Sequence, residues 1–375
     1  MKLIRNPEVR GILIIILLIV VVGLIMAAAT GRLEKWFGIA WFSGPRALDK
    51  IIFVSERSGS PQLYIMNTNG SGQKALTTDA RVLSAPAISP RGNRIAFIGL
   101  VDNWPQVMTV GAEGGTPEQI TATTTPKSLV SYSPNGEKLT FIASGRVYAA
   151  EDNTENPSVV LPTEEELHMA MTDPLTRGET PPYHDYAWGP NSVQIAGVTK
   201  DPSDSDVLVY VPKPDAEPFR FPPPRQGRIK IAGIAWASKA PVLVASLNIE
   251  GTGWLLLYDT RRKSMGAGEF KSRALGKPAV SPDGTNVVVP FTESKTGQAG
   301  LAKISADTRG LQMIASGEFS GLVFSADGDT ILAVQSARGG KSRDVVTINI
   351  LTGKVKRMTK DGKSHDAIWS PVSKK

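Results

Sequence analysis

Three histidines, His168, His184 and His365, make up the whole imidazole complement of the chain, and such side chains serve as transition-metal ligands or general bases. None stands in a His-x-His or His-Glu-x-x-His spacing, so their order along the chain does not bring two onto one metal. Asp204 and Asp206 are acids spaced to share a cation, but the residues around them lack the pattern of an EF-hand calcium loop. Gly339-Gly340-Lys341-Ser342 ends as a phosphate-binding loop ends. Gln335 holds the place of that loop's first glycine, however, and the flanking residues read as strand to strand, not strand to helix. A Gly-x-Ser-x-Gly nucleophile elbow is missing. With no cysteine, the chain has no disulfide, thiolate site, cysteine nucleophile or lipid-modified N-terminal cysteine. These residues predict neither catalysis nor a bound cofactor, and no metal site.

The elements that must position them are short. Among 375 residues, 36 glycines and 27 prolines favour many strands joined by turns over long helices, so the body of the chain should be all-β. A net charge of +7 includes four basic residues and one acid in the first 32, and the remaining excess is too mild to predict nucleic-acid binding.

Gly11 to Ala29 carries no charged or strongly polar side chain. As a helix rising about 1.5 Å per residue it would span roughly 28 Å, near the thickness of a bilayer's hydrocarbon core. The expected organisation is a cytoplasmic N-terminus at 1–10, a transmembrane anchor at 11–30 and a juxtamembrane linker at 31–48. That linker holds Trp36, Phe37, Trp41 and Phe42 as an interfacial aromatic belt. A cleaved signal peptide is the alternative, since Lys2, Arg5 and Arg10 precede the apolar run and Ala27-Ala28-Ala29 ends it.

Beyond residue 48 one pattern recurs, an apolar strand, a Ser-Pro-x-Gly-like turn and another apolar strand. The marks are Ser89-Pro90-Arg91-Gly92, Ser133-Pro134-Asn135-Gly136, Gly189-Pro190-Asn191, Ala237-Ser238-Lys239, Ser281-Pro282-Asp283-Gly284, Ser325-Ala326-Asp327-Gly328 and Ser370-Pro371. Their first residues are 44, 56, 48, 44, 44 and 45 apart, a period that matches one four-stranded propeller blade. Proline presets the turn and Asp or Asn followed by Gly reverses the chain, so each mark predicts a hairpin. A weaker last strand often ends in Leu76-Thr77, Ile120-Thr121 or Met358-Thr359. The first unit, from Lys50, has three strands and no mark before it, while the last mark at Ser370 has no strands after it. The C-terminal strand is therefore expected to complete the first blade and close a β-propeller over 49–371, with seven blades, or six if a degraded mark is misread.

Ser55-Glu56-Arg57-Ser58-Gly59-Ser60-Pro61-Gln62-Leu63-Tyr64-Ile65-Met66-Asn67, with Gly70 and Leu76-Thr77, resembles the repeat of TolB-type, WD-like propellers, and Ser281-Pro282-Asp283-Gly284 matches that repeat's turn. The resemblance covers about residues 48–371. It implies a bacterial envelope setting, an extracytoplasmic propeller held at the inner membrane by a single pass (or periplasmic or secreted after cleavage), and partner binding on one propeller face. TolB proper carries a further α/β domain before a six-bladed propeller, is cleaved, and binds a peptidoglycan-associated lipoprotein. Here a membrane segment stands in place of that domain, so its partner is not carried over.

With strands named A to D in each blade, the B–C and D–A connections share a face, and the long loops fall there. The expected B–C loops include 100–105, 200–206, 292–297 and 336–342. Candidate partner-binding residues on them are Arg57, Asp102, Trp104, Asp201, Asp204, Glu293, Lys295, Arg338 and Lys341, joined by His184 and His365 from D–A connections. An insertion at 162–185 opens with a capping box at Thr163-Glu164-Glu165-Glu166 and should form a helix to about Met171. It either covers the central channel or decorates the surface. The expected function is a non-catalytic binding and scaffolding protein of the cell envelope that engages an envelope protein or peptide. A metal-dependent polysaccharide lyase or carbohydrate-binding propeller using the histidines and Trp104 is the alternative, because propeller lyases resembling this repeat family place histidines around a metal. A sensor domain localised by its helix is a third reading.

Overall fold

In the computed structural model of the chain, the structure describes residues 49–151, 157–172, 180–214, 216–305, 311–337, 339–340 and 342–371. The expected cytoplasmic segment, membrane anchor and linker at 1–48 lie outside the described residues. No helix among the described residues is long and apolar enough to cross a membrane.

Seven antiparallel sheets follow one another along the chain. Blade 1 takes β1 (Lys50–Ser55), β2 (Gln62–Asn67) and β3 (Lys74–Ala75). Blade 2 comprises β4 (Ala87–Ile88), β5 (Arg94–Val101), β6 (Trp104–Gly111) and β7 (Glu118–Gln119). Blade 3 has β8 (Lys127–Tyr132), β9 (Lys138–Ala143), β10 (Arg146–Glu151) and β11 (Ser158–Leu161), followed by α1 (Glu164–Thr172). Blade 4 is built from β12 (Asp185–Trp188), β13 (Ile195–Lys200), β14 (Asp206–Val211) and β15 (Phe219–Arg220). Blade 5 is built from β16 (Ile229–Trp236), β17 (Val242–Ile249), β18 (Thr252–Asp259) and β19 (Ser264–Phe270). Blade 6 contains β20 (Arg273–Leu275), β21 (Ala279–Val280), β22 (Asn286–Glu293), β23 (Ala299–Ser305) and β24 (Leu311–Ser316). Blade 7 contains β25 (Glu318–Phe324), β26 (Thr330–Ser336), β27 (Arg343–Asn349) and β28 (Val355–Arg357), after which β29 (Ser364–Trp369) returns to pair with β1.

That return closes the ring. Ile51 pairs with Trp369 and Ser55 with Ser364; the Lys50 amide donates to Ser370 Oγ at 2.8 Å, and Trp369 Nε1 donates to the Val323 carbonyl of blade 7 at 3.1 Å. Each of the seven seams between neighbouring blades holds its own apolar cluster. Ile52 and Val54 meet Phe97 between blades 1 and 2; Tyr210 meets Tyr258 between blades 4 and 5; Phe53 and Met66 meet Leu332 and Val345 between blades 1 and 7. A fully buried side chain of this kind stabilises by about 1.5–3 kcal/mol relative to exposure, so every seam is a substantial part of the core. Seven blades are present, which settles the six-or-seven alternative.

The Ser-Pro-x-Gly marks are the A–B hairpins, and their serines explain the spelling. Ser133, Ser281 and Ser325 each accept, through Oγ, the amide of the residue five positions on, and each donates to the Asn or Asp two positions on. Gly136, Gly284 and Gly328 follow at φ of 75, 77 and 83°, a region that other residues enter only at a cost. The Leu-Thr ending is a second repeated device. Thr77 Oγ1 accepts the Leu63 amide (3.1 Å) and donates to Gln62 Oε1 (2.8 Å). Thr121 treats Val107 and Gln106 alike, and Thr359 treats Val345 and Asp344 alike. A buried polar group at the head of strand C is thereby satisfied in the same way in three blades.

Blade 6 departs from four strands for a local reason. Pro290 lies in β22 with its carbonyl turned toward strand A, where it accepts the Gly276 amide at 2.8 Å. Its missing N–H is on that side too, so the ladder breaks and strand A splits into β20 and β21 around Gly276-Lys277-Pro278. Lys277 is left free of the ladder.

Candidate functional site

The face formed by the B–C and D–A connections gathers most of the candidate residues, and most of them are engaged with neighbours. Arg57 serves the ring closure: its Nε lies 2.7 Å from Asp361 Oδ2, it donates to Ser55, Gln73 and Ser364, and its guanidinium lies 4.8 Å from the Tyr64 ring centroid. Burial opposes ionisation of Asp361, but the Lys363 amide, the Ser364 hydroxyl and Arg57 together hold its carboxyl below the usual range. His365 is in the same seam, with Nε2 3.3 Å from Glu56 Oε1 and Nδ1 2.7 Å from Asp366 Oδ2, while Arg343 shares Glu56 at 2.8 Å. The expected place of His365 in a connection is corrected: it is the second residue of β29, because the closing strand begins at Ser364.

Blades 4 to 6 contribute a second group. Asp201 turns back on its own loop, accepting Ser203 Oγ and the amides of Ser203 and Ser205; the Ser203 hydrogen bond leads in lowering its pKa. Asp204 is held low first by Lys200, 2.8 Å away, and then by Arg228. His184 Nε2 is 3.7 Å from the buried Asp206, whose Oδ2 accepts the Ile231 amide at 2.8 Å. Next to it, Asp185 receives Lys277 at 2.9 and 3.0 Å. This pair joins the inner strands of blades 4 and 6 across blade 5, and Gly233 makes room: a Cβ there would stand 2.5 Å from Lys277 Cγ. The sequence analysis did not foresee this clamp, and the one signal for it was a proline in a strand otherwise rich in valine.

Glu293 is 3.3 Å from Arg273 and accepts Thr296 Oγ1, whereas Lys295 is exposed. Arg338 and Lys341 lie outside the described residues. The expected loop 100–105 shrinks to a two-residue turn. Asp102 and Asn103 both adopt positive φ, 47 and 66°, as a tight hairpin requires, and Val101 pairs with Trp104. Trp104 is 40% exposed beside that tip.

Two clefts flank blade 2. One of about 790 Å³ lies between blades 2 and 3, lined by Ile120 to Thr123, Lys127, Phe141, Tyr148 and Pro157; another of about 590 Å³ lies between blades 1 and 2, lined by Leu76, Asp79, Leu100, Val101 and Met108. Phe141 and Tyr148 stack in the first, with centroids 5.7 Å apart at 15°. Lys127 is buried there, its amine donating to Thr123 and Thr125, and burial lowers its pKa.

The insertion is anchored at the rim. Its capping box forms as expected, the Thr163 amide donating to Glu166 Oε2 at 3.0 Å and the Glu166 amide to Thr163 Oγ1 at 3.2 Å. Buried Glu166 also accepts Tyr183 OH (3.0 Å) and Arg220 of the outer strand β15 (2.7 Å). Burial first, and Glu166 second, push the Tyr183 phenol upward. This tie holds α1 at the outer edge of blade 4, so the channel-cover alternative fails for the helix. Among the described residues, no three of His, Asp or Glu form a group suited to a metal ion.

Residues 44–152 match the family model described as the TolB beta propeller domain. No curated protein sequence matches the chain. Among solved structures, TolB from Acinetobacter baumannii is similar at a TM-score of 0.53 and 14% identity, over 90% of this chain and 69% of that one. An oligogalacturonate lyase from Vibrio parahaemolyticus gives 0.55 at 10% identity, over 84% and 88%. A puromycin-hydrolyzing peptidase from Mycobacterium tuberculosis gives 0.59 at 14%, over 85% of this chain and 54% of that one. At such identities the likeness concerns the fold alone. With seven blades and hairpin marks in phase, the chain is a seven-bladed β-propeller, and its residues 44–152 are similar to the TolB beta propeller domain.

Proposed function

We propose that this protein is a non-catalytic binding and scaffolding protein of the cell envelope, tethered to the inner membrane through residues 11–30, with its propeller on the extracytoplasmic side. Its B–C and D–A face engages an envelope protein or peptide. The observation that carries this reading is the pair of clefts on either side of blade 2, the blade whose Asp102–Asn103 turn carries the exposed Trp104. Apolar walls, threonine hydroxyls and an exposed tryptophan suit the side chains of a polypeptide. The remaining charges of the face are of both signs and largely paired, which favours a protein surface over a polyanion.

A photo-crosslinking residue placed at Asp102, Asp204 or Lys295 in intact cells is expected to capture one envelope protein, and Trp104→Ala to reduce its yield. The same probe at Asp283, on the opposite face, should capture none. Crosslinks from Asp283 alone would overturn the assignment of the face.

The lyase alternative would draw on the histidines, which among the described residues join no group suited to a metal ion. A stoichiometric transition metal in the purified protein, lost in His184→Ala or His365→Ala, would move the reading to that alternative.

A further inference from the structure

The outer edge of blade 5 is built unlike the other six. β19 pairs with β18 through all seven of its residues, from Ser264 opposite Asp259 to Phe270 opposite Gly253, with no shift of register. The outer strands β3, β7 and β15 have two residues, β28 three and β11 four; β24 has six, and its pairing with β23 shifts register between Leu301 and Ala302. Short or irregular edges are how sheets avoid recruiting another strand, and charged residues or proline serve the same purpose. From Ser264 to Gly268, β19 reads Ser-Met-Gly-Ala-Gly, without charge, proline or β-branch. Among the described residues nothing pairs with its far side, where alternate residues turn N–H and C=O outward. A Cβ at Gly266 would meet nothing within 4 Å.

The surroundings of this edge select what can occupy it. Opposite Tyr258, Met265 is 48% exposed, and Phe219, 46% exposed, stacks on Tyr258 at 6.1 Å. An apolar shoulder thus runs beside the strand. At one end the hairpin presents Arg261, Arg262 and Lys263, all exposed. Asp259 accepts the amides of Arg261 and Arg262 through Oδ1 and lies 3.8 Å from the Arg262 side chain through Oδ2, leaving this end net positive. Glu269 stands toward the other end.

We propose that β19 is a docking edge for an extended acidic segment of a partner polypeptide, which adds a fifth strand to blade 5. Backbone pairing supplies the affinity, an apolar side chain of the segment rests on Met265 and Phe219, and its carboxylates lie against Arg261, Arg262 and Lys263. This surface is on the circumference and is independent of the loop-rich face, so the two readings stand or fall separately.

The test uses the full chain in detergent micelles and a labelled peptide of about nine residues, alternating valine and threonine and ending in aspartates. Binding should slow hydrogen exchange of the 264–270 amides, and N-methylation of alternate peptide amides should weaken binding by at least about tenfold. The double variant Arg261→Glu, Arg262→Glu, with an unchanged melting temperature, should bind the acidic peptide about three- to tenfold more weakly and prefer a lysine-ended peptide. Equal binding of the N-methylated peptide would overturn the proposal. So would β19 protection that rises with protein concentration without peptide, which marks a second copy as the occupant. Binding to phosphatidylserine-containing vesicles but not to the peptide would assign the basic hairpin to a membrane surface and overturn it as well.

Discussion

Thr77, Thr121 and Thr359 show how little separates a surface residue from a structural one. Each hydroxyl bonds a strand amide on one side and a buried side chain on the other. Replacing Thr121 by Val keeps the shape and strands both partners, and should cost about 1–3 kcal/mol in urea unfolding. Thr78→Val, next to Thr77 in sequence but exposed, should stay within about 0.5 kcal/mol. The turn aspartates give a pH test. The Ser281 hydroxyl leads in holding Asp283 below the ordinary carboxylate range. A depressed pKa contributes stability that is complete above the unfolded value, near pH 4, and fades as pH falls through the folded value. Ser281→Ala should therefore flatten the loss of stability below about pH 4, read as a shallower slope of melting temperature against pH. The Leu-Thr repeats were visible in the sequence, but the residue that completes each latch, Gln62, Gln106 or Asp344, was not. It is an ordinary polar residue until strand pairing places it under the threonine.

At the scale of elements, one proline reorganises a blade and supplies a clamp. Pro290 breaks the inner strand of blade 6, Lys277 bulges from the gap, and Gly233 lets it pass to Asp185. Lys277 is half exposed, so Lys277→Ala should cost no more than about 1 kcal/mol. Gly233→Ala forces a methyl into the lysine stem and should cost about 1–3 kcal/mol. The same change made on a Lys277→Ala background should cost less, a coupling that a double-mutant cycle in urea would measure. An equal cost in both backgrounds would show that the glycine serves its own backbone and not the lysine. The helix at 164–172 was legible from its capping box, whereas its place at the rim was not. That place depends on Arg220, some fifty positions on, meeting Glu166.

For the molecule as a whole, closure is the decisive interaction. β29 adds a strand to blade 1, buries Ala367 against the seam with blade 7 and fixes Trp369 to Val323. Deleting residues 364–375 should leave β1 as an open inner edge and remove that part of the seam. The expected result is loss of cooperative thermal unfolding, or a fall of at least about 10 °C in Tm, followed by circular dichroism. An unchanged melting curve would mean that the ring holds without its last strand.

The phased turns determined the architecture in advance, because a hairpin is a local event: Pro, Asp or Asn and Gly impose their angles whatever lies around them. Hence the repeated strand order and the closing partner could be read from residues alone, and the blade count to within one, six or seven. Which side chains meet was another matter. Arg57 and Asp204 were read as free to bind a partner and are in fact held by Asp361, and by Lys200 and Arg228. Asp185 and Lys277, 92 positions apart, face each other only once blades 4, 5 and 6 stand side by side. Pairings of that kind depend on curvature of the whole ring, and no local propensity encodes it.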